Sequence, residues 1–232
     1  MPYSIAALKS KLNTDYPVSG TFGYAALLNS LLLTNLTYTV DFSTDELTTA
    51  AHGLVTGTRI RVTTTVAQPG ISPSGTLSGA VDYFVGVLTA TTLKLYTTLA
   101  DAIASTSPIN FTDGGSGTLR INEQALNSED AIAVMVNHEL THPDYFRKEL
   151  AGMGAAFTSG SEARKNTSAW TLTANAPNPD IVFGYVLTLK DGVATIGSVT
   201  GTIDFLDVLG APITIAAGNS KSYILQFAGK NL

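Results

Sequence analysis

Val186-Leu187-Thr188-Leu189-Lys190-Asp191-Gly192-Val193-Ala194-Thr195-Ile196 is the stretch on which the fold turns. An Asp-Gly pair stands between two segments, Val186–Lys190 and Val193–Ile196, that read as strands. That arrangement predicts a tight β-hairpin, because Asp-Gly accepts the left-handed backbone that such a turn needs. Thr202–Val208, Ile213–Ala216 and Ser222–Phe227 read as further strands. Gly210-Ala211-Pro212 and Gly218-Asn219 supply turns between them. The C-terminal part, 166–232, is therefore expected to be β.

Upstream, Ser128-Glu129-Asp130 resembles an N-cap with acidic residues in the first helical turn. Ile132, Met135, Val136 and Leu140 follow as an apolar stripe. Pro143-Asp144 is expected to open a second helix, ended by Gly152, Gly154 and Gly160. From about 39 to 122 the character changes to Thr, Val and Gly. Arg59-Ile60-Arg61-Val62-Thr63 alternates with period two, as a half-buried strand does. Val81–Leu88, Thr92–Tyr96 and Thr118–Ile121 read as strands, Gln68–Gly79 as a loop, and Thr98–Ser105 as one or two helical turns. At the N-terminal end Ser4 is expected to cap a short helix carrying Ile5, Leu8 and Leu12. Tyr24–Leu36 has helical spacing at Leu27, Leu28, Leu31 and Leu32, with a buried strand as the rival reading.

The expected fold is mainly β with a minor helical part. A β-sandwich or barrel-like body, 1–38 and 123–232, carries an inserted small β-module at 39–122. Leu27, Leu28, Leu31 and Leu32 belong either to the core of the chain itself or to an interface with a partner.

Composition narrows the function. Of 232 residues 44% are hydrophobic, enough for a core, while only 13% are charged. That is about half the usual charged share. A free monomer normally keeps a charged surface for solubility, so the balance favours a protein packed in an assembly. The net charge of -5 and the lack of a basic run exclude a nucleic-acid surface. Arg147-Lys148 and Arg164-Lys165 read as solvated surface. No cysteine is present, which removes disulfides and thiol chemistry. Met1–Ala7 lacks the features of a signal peptide, and no apolar run is long enough to span a bilayer, so a soluble chain is expected.

One motif points to catalysis. His138-Glu139-Leu140-Thr141-His142 fits H-E-x-x-H, in which two histidines on one helix face bind zinc and the glutamate acts as general base. Pro143 disfavours helix at His142. The third ligand has to come from His52, Glu149 or Glu162, with Glu162 at the more suitable distance. Glu139 also falls near the apolar stripe. A helix-junction role for His138 and His142 outweighs a metal site of His138, His142 and Glu162. No cofactor is expected.

The middle segment carries five pieces in order. These are Ala51-His52-Gly53-Leu54-Val55-Thr56-Gly57, Tyr83-Phe84-Val85, Thr92-Leu93-Lys94-Leu95-Tyr96, Thr98-Leu99-Ala100-Asp101-Ala102, and Phe111-Thr112-Asp113-Gly114-Gly115-Ser116-Gly117-Thr118-Leu119. Together they resemble a small β-module that recurs in virion proteins of tailed bacteriophages, in tails, baseplates and capsid-associated components. The likeness covers about a third of the chain and departs at the longer, proline-bearing loop Gln68–Ser74. It implies a scaffold without catalytic residues, with His52 structural. The resulting expectation is a non-enzymatic virion protein, assembled in the bacterial cytoplasm. A capsid decoration or cement protein is the leading form, and a tail, baseplate or neck component the alternative. Expected partners are the major capsid protein or other virion proteins, together with copies of itself, by analogy a trimer. Nucleic acid and membrane are not expected partners.

Overall fold

The computed structural model describes residues 6–7, 10, 14, 21–29, 35–127, 129–151, 157–159, 162–166, 170–175, 177–223 and 226–230. The predicted Ser4-capped helix lies largely outside them, as do Leu31 and Leu32. The chain divides into two compact units, Met1–Asn29 with Glu139–Leu232, and Ser30–His138. It makes one strand of the first unit, β1 (Thr21–Leu28), before entering the second.

The second unit is a closed six-stranded barrel. Its strands are β2 (Leu36–Asp41), β3 (Glu46–Thr49), β4 (Arg59–Thr64), β5 (Tyr83–Val87), β6 (Thr92–Tyr96) and β7 (Leu119–Glu123). They run in the order β2-β3-β6-β5-β4-β7, and β7 closes on β2 through Leu36↔Ile121. Closure leaves no free sheet edge among these strands. Alternation explains the inside: Ile60 and Val62 on β4, Leu93 and Leu95 on β6, and Leu119 and Ile121 on β7 are buried together. Each such side chain contributes about 1.5–3 kcal/mol relative to exposure. Gly86 on β5 is fixed by close approach, because a Cβ there would sit 2.5 Å from the Tyr96 ring. Two short helices, α1 (Leu99–Ala104) and α2 (Ile132–Asn137), complete the unit.

The expected helix at 128–142 is therefore much shorter. Asp130 is not in its first turn but precedes it, and its carboxylate takes Arg59 Nε at 3.4 Å and the Asn127 N–H at 2.7 Å. Ala131 stands at the N-cap without a side-chain bond. Ser128 lies outside the described residues. The inserted unit also begins earlier and ends later than the predicted 39–122, because β2 starts at Leu36 and α2 belongs with the barrel.

The first unit resumes at Glu139. Its main sheet has the order β13-β12-β1-β8, built from β1, β8 (Lys148–Ala151), β12 (Ile181–Lys190) and β13 (Thr202–Ile215). Smaller sheets join β9 (Phe157–Ser159), β10 (Glu162–Asn166) and β15 (Gln226–Lys230), and β11 (Trp170–Ala174) with β14 (Asn219–Tyr223). Leu27, Leu140, Leu150, Phe183 and Ile215 share its core.

Four expectations change here. Tyr24–Leu28 is strand, the rival reading, since Ala25 to Leu28 are buried on both faces and the run has no period to read. The predicted second helix at Pro143–Gly152 is a turn followed by β8. The predicted tight hairpin at Asp191-Gly192 is not formed: Asp191 has the expected φ of 54°, but Lys190 pairs with Thr202, so β12 and β13 are joined by the loop 191–201 and Val193–Ile196 is part of it. Gly210-Ala211-Pro212 lies inside β13, where the pairing jumps from Tyr185↔Val208 to Phe183↔Ile213. Those residues form an irregularity in one long strand rather than a turn between two. Among the described residues no helix is long and apolar enough to cross a membrane.

Candidate functional site

The H-E-x-x-H stretch falls where the chain passes from one unit to the other. His138 is the last residue of the barrel unit and Glu139 the first of the returning body. Helix α2 stops at Asn137, and His138 turns with φ −85° and ψ 0°. The motif is therefore not a helix face, and the i, i+4 spacing no longer aims two imidazoles at one ion.

Each side chain is already engaged. His138 Nε2 lies 2.8 Å from Glu123 Oε1, both groups buried in the barrel unit. His142 Nδ1 accepts the Asp144 N–H at 3.0 Å, so the ring proton sits on Nε2 and is donated to the Pro179 carbonyl at 2.6 Å. Both ring nitrogens of His142 are thereby occupied. Glu139, the would-be general base, accepts four hydrogen bonds. Tyr145 donates to Oε1 at 2.8 Å and Arg147 Nε to Oε1 at 2.9 Å. Arg147 Nη2 and the Gly197 N–H donate to Oε2 at 2.8 and 2.6 Å. Burial and the adjacent Glu139 carboxylate push the Tyr145 phenol well above its ordinary pKa, which keeps its proton in place for that bond.

Arg147 is correspondingly buried, against the expectation of a solvated doublet; its side chain has no exposed area. Its guanidinium also donates to the Val193 carbonyl at 3.2 Å and the Ser198 carbonyl at 2.9 Å. The Glu139–Arg147 pair thus clamps the loop that replaced the predicted strand at 193–196. The sequence signal for it was parity: Tyr145 and Arg147 point inward while Phe146 is exposed.

Among the described residues, no group of three or more His, Asp and Glu side chains could hold a metal ion. Glu162 lies on β10, paired through its backbone with Lys230 and Ser159. Glu149 is exposed on β8. His52 belongs to the barrel unit, where Nδ1 accepts the Leu54 N–H at 3.0 Å and Nε2 donates to the Thr89 carbonyl at 3.0 Å. Leu27 and Leu28 are buried within the body's own core, the first of the two roles foreseen for them.

The five sequence pieces of the middle segment prove to be barrel-framing turns and strands. Thr56 Oγ1 takes the Val87 N–H at 3.0 Å. Gly57, at φ +93°, sends its N–H to Val85 O at 2.7 Å, and a Cβ there would meet Leu99 at 2.9 Å. Thr98 caps α1 by accepting from Asp101 N at 3.1 Å. Asp113 Oδ1 accepts from Gly70 at 3.0 Å and Gly115 at 2.8 Å. The Asp45 carboxylate takes the Phe111 N–H at 2.8 Å. Compared with models of protein families, with curated proteins and with solved structures, the chain matches none.

Proposed function

We propose that the chain is a non-enzymatic structural component of a tailed-bacteriophage particle, and that it acts as a capsid decoration or cement protein. The observation that carries the structural reading is Glu139: the carboxylate best placed in sequence for catalysis is a buried four-fold acceptor that organises a loop. The ring nitrogens of His52 and His142 serve the same kind of purpose, holding backbone in place. The virion assignment draws on the resemblance of the middle segment, whose quoted residues supply turns and strands of a closed barrel.

In this reading the protein works by burying surface against the shell and against copies of itself, with many modest contacts adding through multivalency. A low charged fraction suits that role. A tail, baseplate or neck position is the alternative placement, since similar modules occur there. The test is electron cryo-microscopy of purified particles carrying this chain. Density at repeated positions on the shell is the expected result. Density confined to tail or neck moves the protein to the alternative, and absence from the particle overturns the proposal.

A further inference from the structure

We propose that the barrel unit binds one lysine side chain of a partner protein in the cavity between β4, β5, α1 and the segment before α2. The cavity has a volume of about 240 Å³ and is lined by Arg59, Phe84, Leu99, Asn127, Glu129 and Asp130. Drug-sized pockets run from about 300 to 1,000 Å³, so this one takes a single side-chain-sized group.

Its polar groups are unequally committed. Arg59 donates to Asp82 at 3.0 Å, to Asp130 at 3.4 Å and to the Ala125 carbonyl at 2.6 Å. Asp82 is further held by Arg61 at 2.6 Å. Asp130 accepts the Asn127 N–H at 2.7 Å, and Asn127 Oδ1 accepts the Glu129 N–H at 2.9 Å. Among the charged groups the Glu129 carboxylate is the exception. It is exposed and has no partner among the described residues.

Charge then selects the occupant. Arg59 and Arg61 stand against Asp82, Glu129 and Asp130, two positive groups to three negative, so the set is one cation short. An anion would meet guanidinium groups already facing carboxylates. A purely apolar group would cover Phe84 and Leu99 and leave Glu129 without a counter-charge. A lysine satisfies both features: its alkyl stem lies along Phe84 and Leu99 while its ammonium reaches Glu129 at the rim. This site rests on the cavity's geometry and is independent of the virion reading.

The test titrates N-acetyl-lysine methylamide into the full chain and follows amide shifts by heteronuclear NMR. The neutral norleucine analogue and 1,5-diaminopentane serve as comparisons. Saturable shifts at Phe84, Leu99 and Asn127 are expected. Binding should weaken about fivefold for the norleucine analogue and about fivefold in Glu129→Gln, the worth of one partly exposed ion pair. Glu129 is exposed, so this variant keeps its fold, checked by an unchanged spectrum elsewhere. Equal binding of the norleucine analogue, or no saturation at tens of millimolar probe, overturns the site. Tighter binding of the free diamine than of the capped lysine overturns the assignment to a partner's side chain.

Discussion

The Tyr145 phenol accepts the Leu27 N–H at 3.0 Å, continuing the hydrogen bonding of β1 past the point where β8 has ended. Strand β1 pairs with β8 through Ala25↔Lys148, and the Tyr145 hydroxyl fills the gap before backbone pairing resumes at Leu140 N–H to the Leu27 carbonyl, 3.1 Å. The same oxygen donates to Glu139, so one hydroxyl serves a buried amide and a buried carboxylate. Tyr145→Phe keeps the ring and removes the oxygen. It should cost about 1–3 kcal/mol, the penalty for leaving a buried donor unsatisfied. Chemical denaturation at neutral pH measures it, and an unchanged midpoint would refute the dual role.

Glu139→Gln should behave as a folding mutation. It removes the counter-charge of a fully buried Arg147, a change worth about 3–5 kcal/mol when one partner is lost. Replacing both, Glu139→Leu with Arg147→Met, should recover much of that loss. The readout is a double-mutant cycle on unfolding free energy. Additive losses would show that the two side chains are not coupled.

Four of the barrel strands were legible in the sequence, but β2, β3 and the closure were not, because closure rests on Leu36 pairing with Ile121 far along the chain. Alternation at Arg59–Thr63 and the glycines of the middle segment reported backbone requirements that sequence states directly. The body was less so, for particular reasons. Ala25 to Leu28 is buried on both faces, which erases the period that separates strand from helix. The 193–196 segment has strand-like residues, but Arg147 and Glu139 hold it as loop through bonds reaching across 46 to 58 positions. Asp130 was expected in the first helical turn because carboxylates that favour a helix start and those that pair with an arginine are the same residue types. Local pattern cannot express a competition that a distant arginine decides.

His52→Ala should loosen the turn 52–54 from the β5–β6 connection, since the ring joins the Leu54 amide to the Thr89 carbonyl. A loss of about 1–3 kcal/mol is expected, chiefly from the buried Leu54 amide left without its acceptor. Hydrogen exchange should report the change at Leu54 and in the connection at 88–92. A uniform change across the barrel, with no local excess, would contradict this assignment.

The barrel unit should be acid-sensitive in a defined window. The Gly70 and Gly115 amides hold the Asp113 carboxyl below its ordinary pKa. For Asp82 burial acts upward, but hydrogen bonds and charge from Arg61 and Arg59 outweigh it and the net shift is also downward. A carboxyl depressed on folding stabilises the native state above its unfolded pKa of about 3.9 and loses that contribution as pH falls through the lower folded value. The urea midpoint should therefore be level from neutral pH to about pH 5 and fall below about pH 4. Asp113→Asn keeps an acceptor for both glycine amides and removes the titration, so its slope should be shallower. An identical slope would exclude Asp113 as a contributor.

Leu28 and Glu139 are antiparallel bridge partners; the body gives up the chain one residue past the first, at Asn29, and receives it back at the second. Paired residues of this kind sit about 5 Å apart, a gap that a short hairpin turn closes. The strand order β13-β12-β1-β8 is therefore indifferent to what is spliced between these two positions. In topology the barrel is a cassette: two neighbouring backbone positions carry both of its connections, and the register of β1 with β12 is set by other residues.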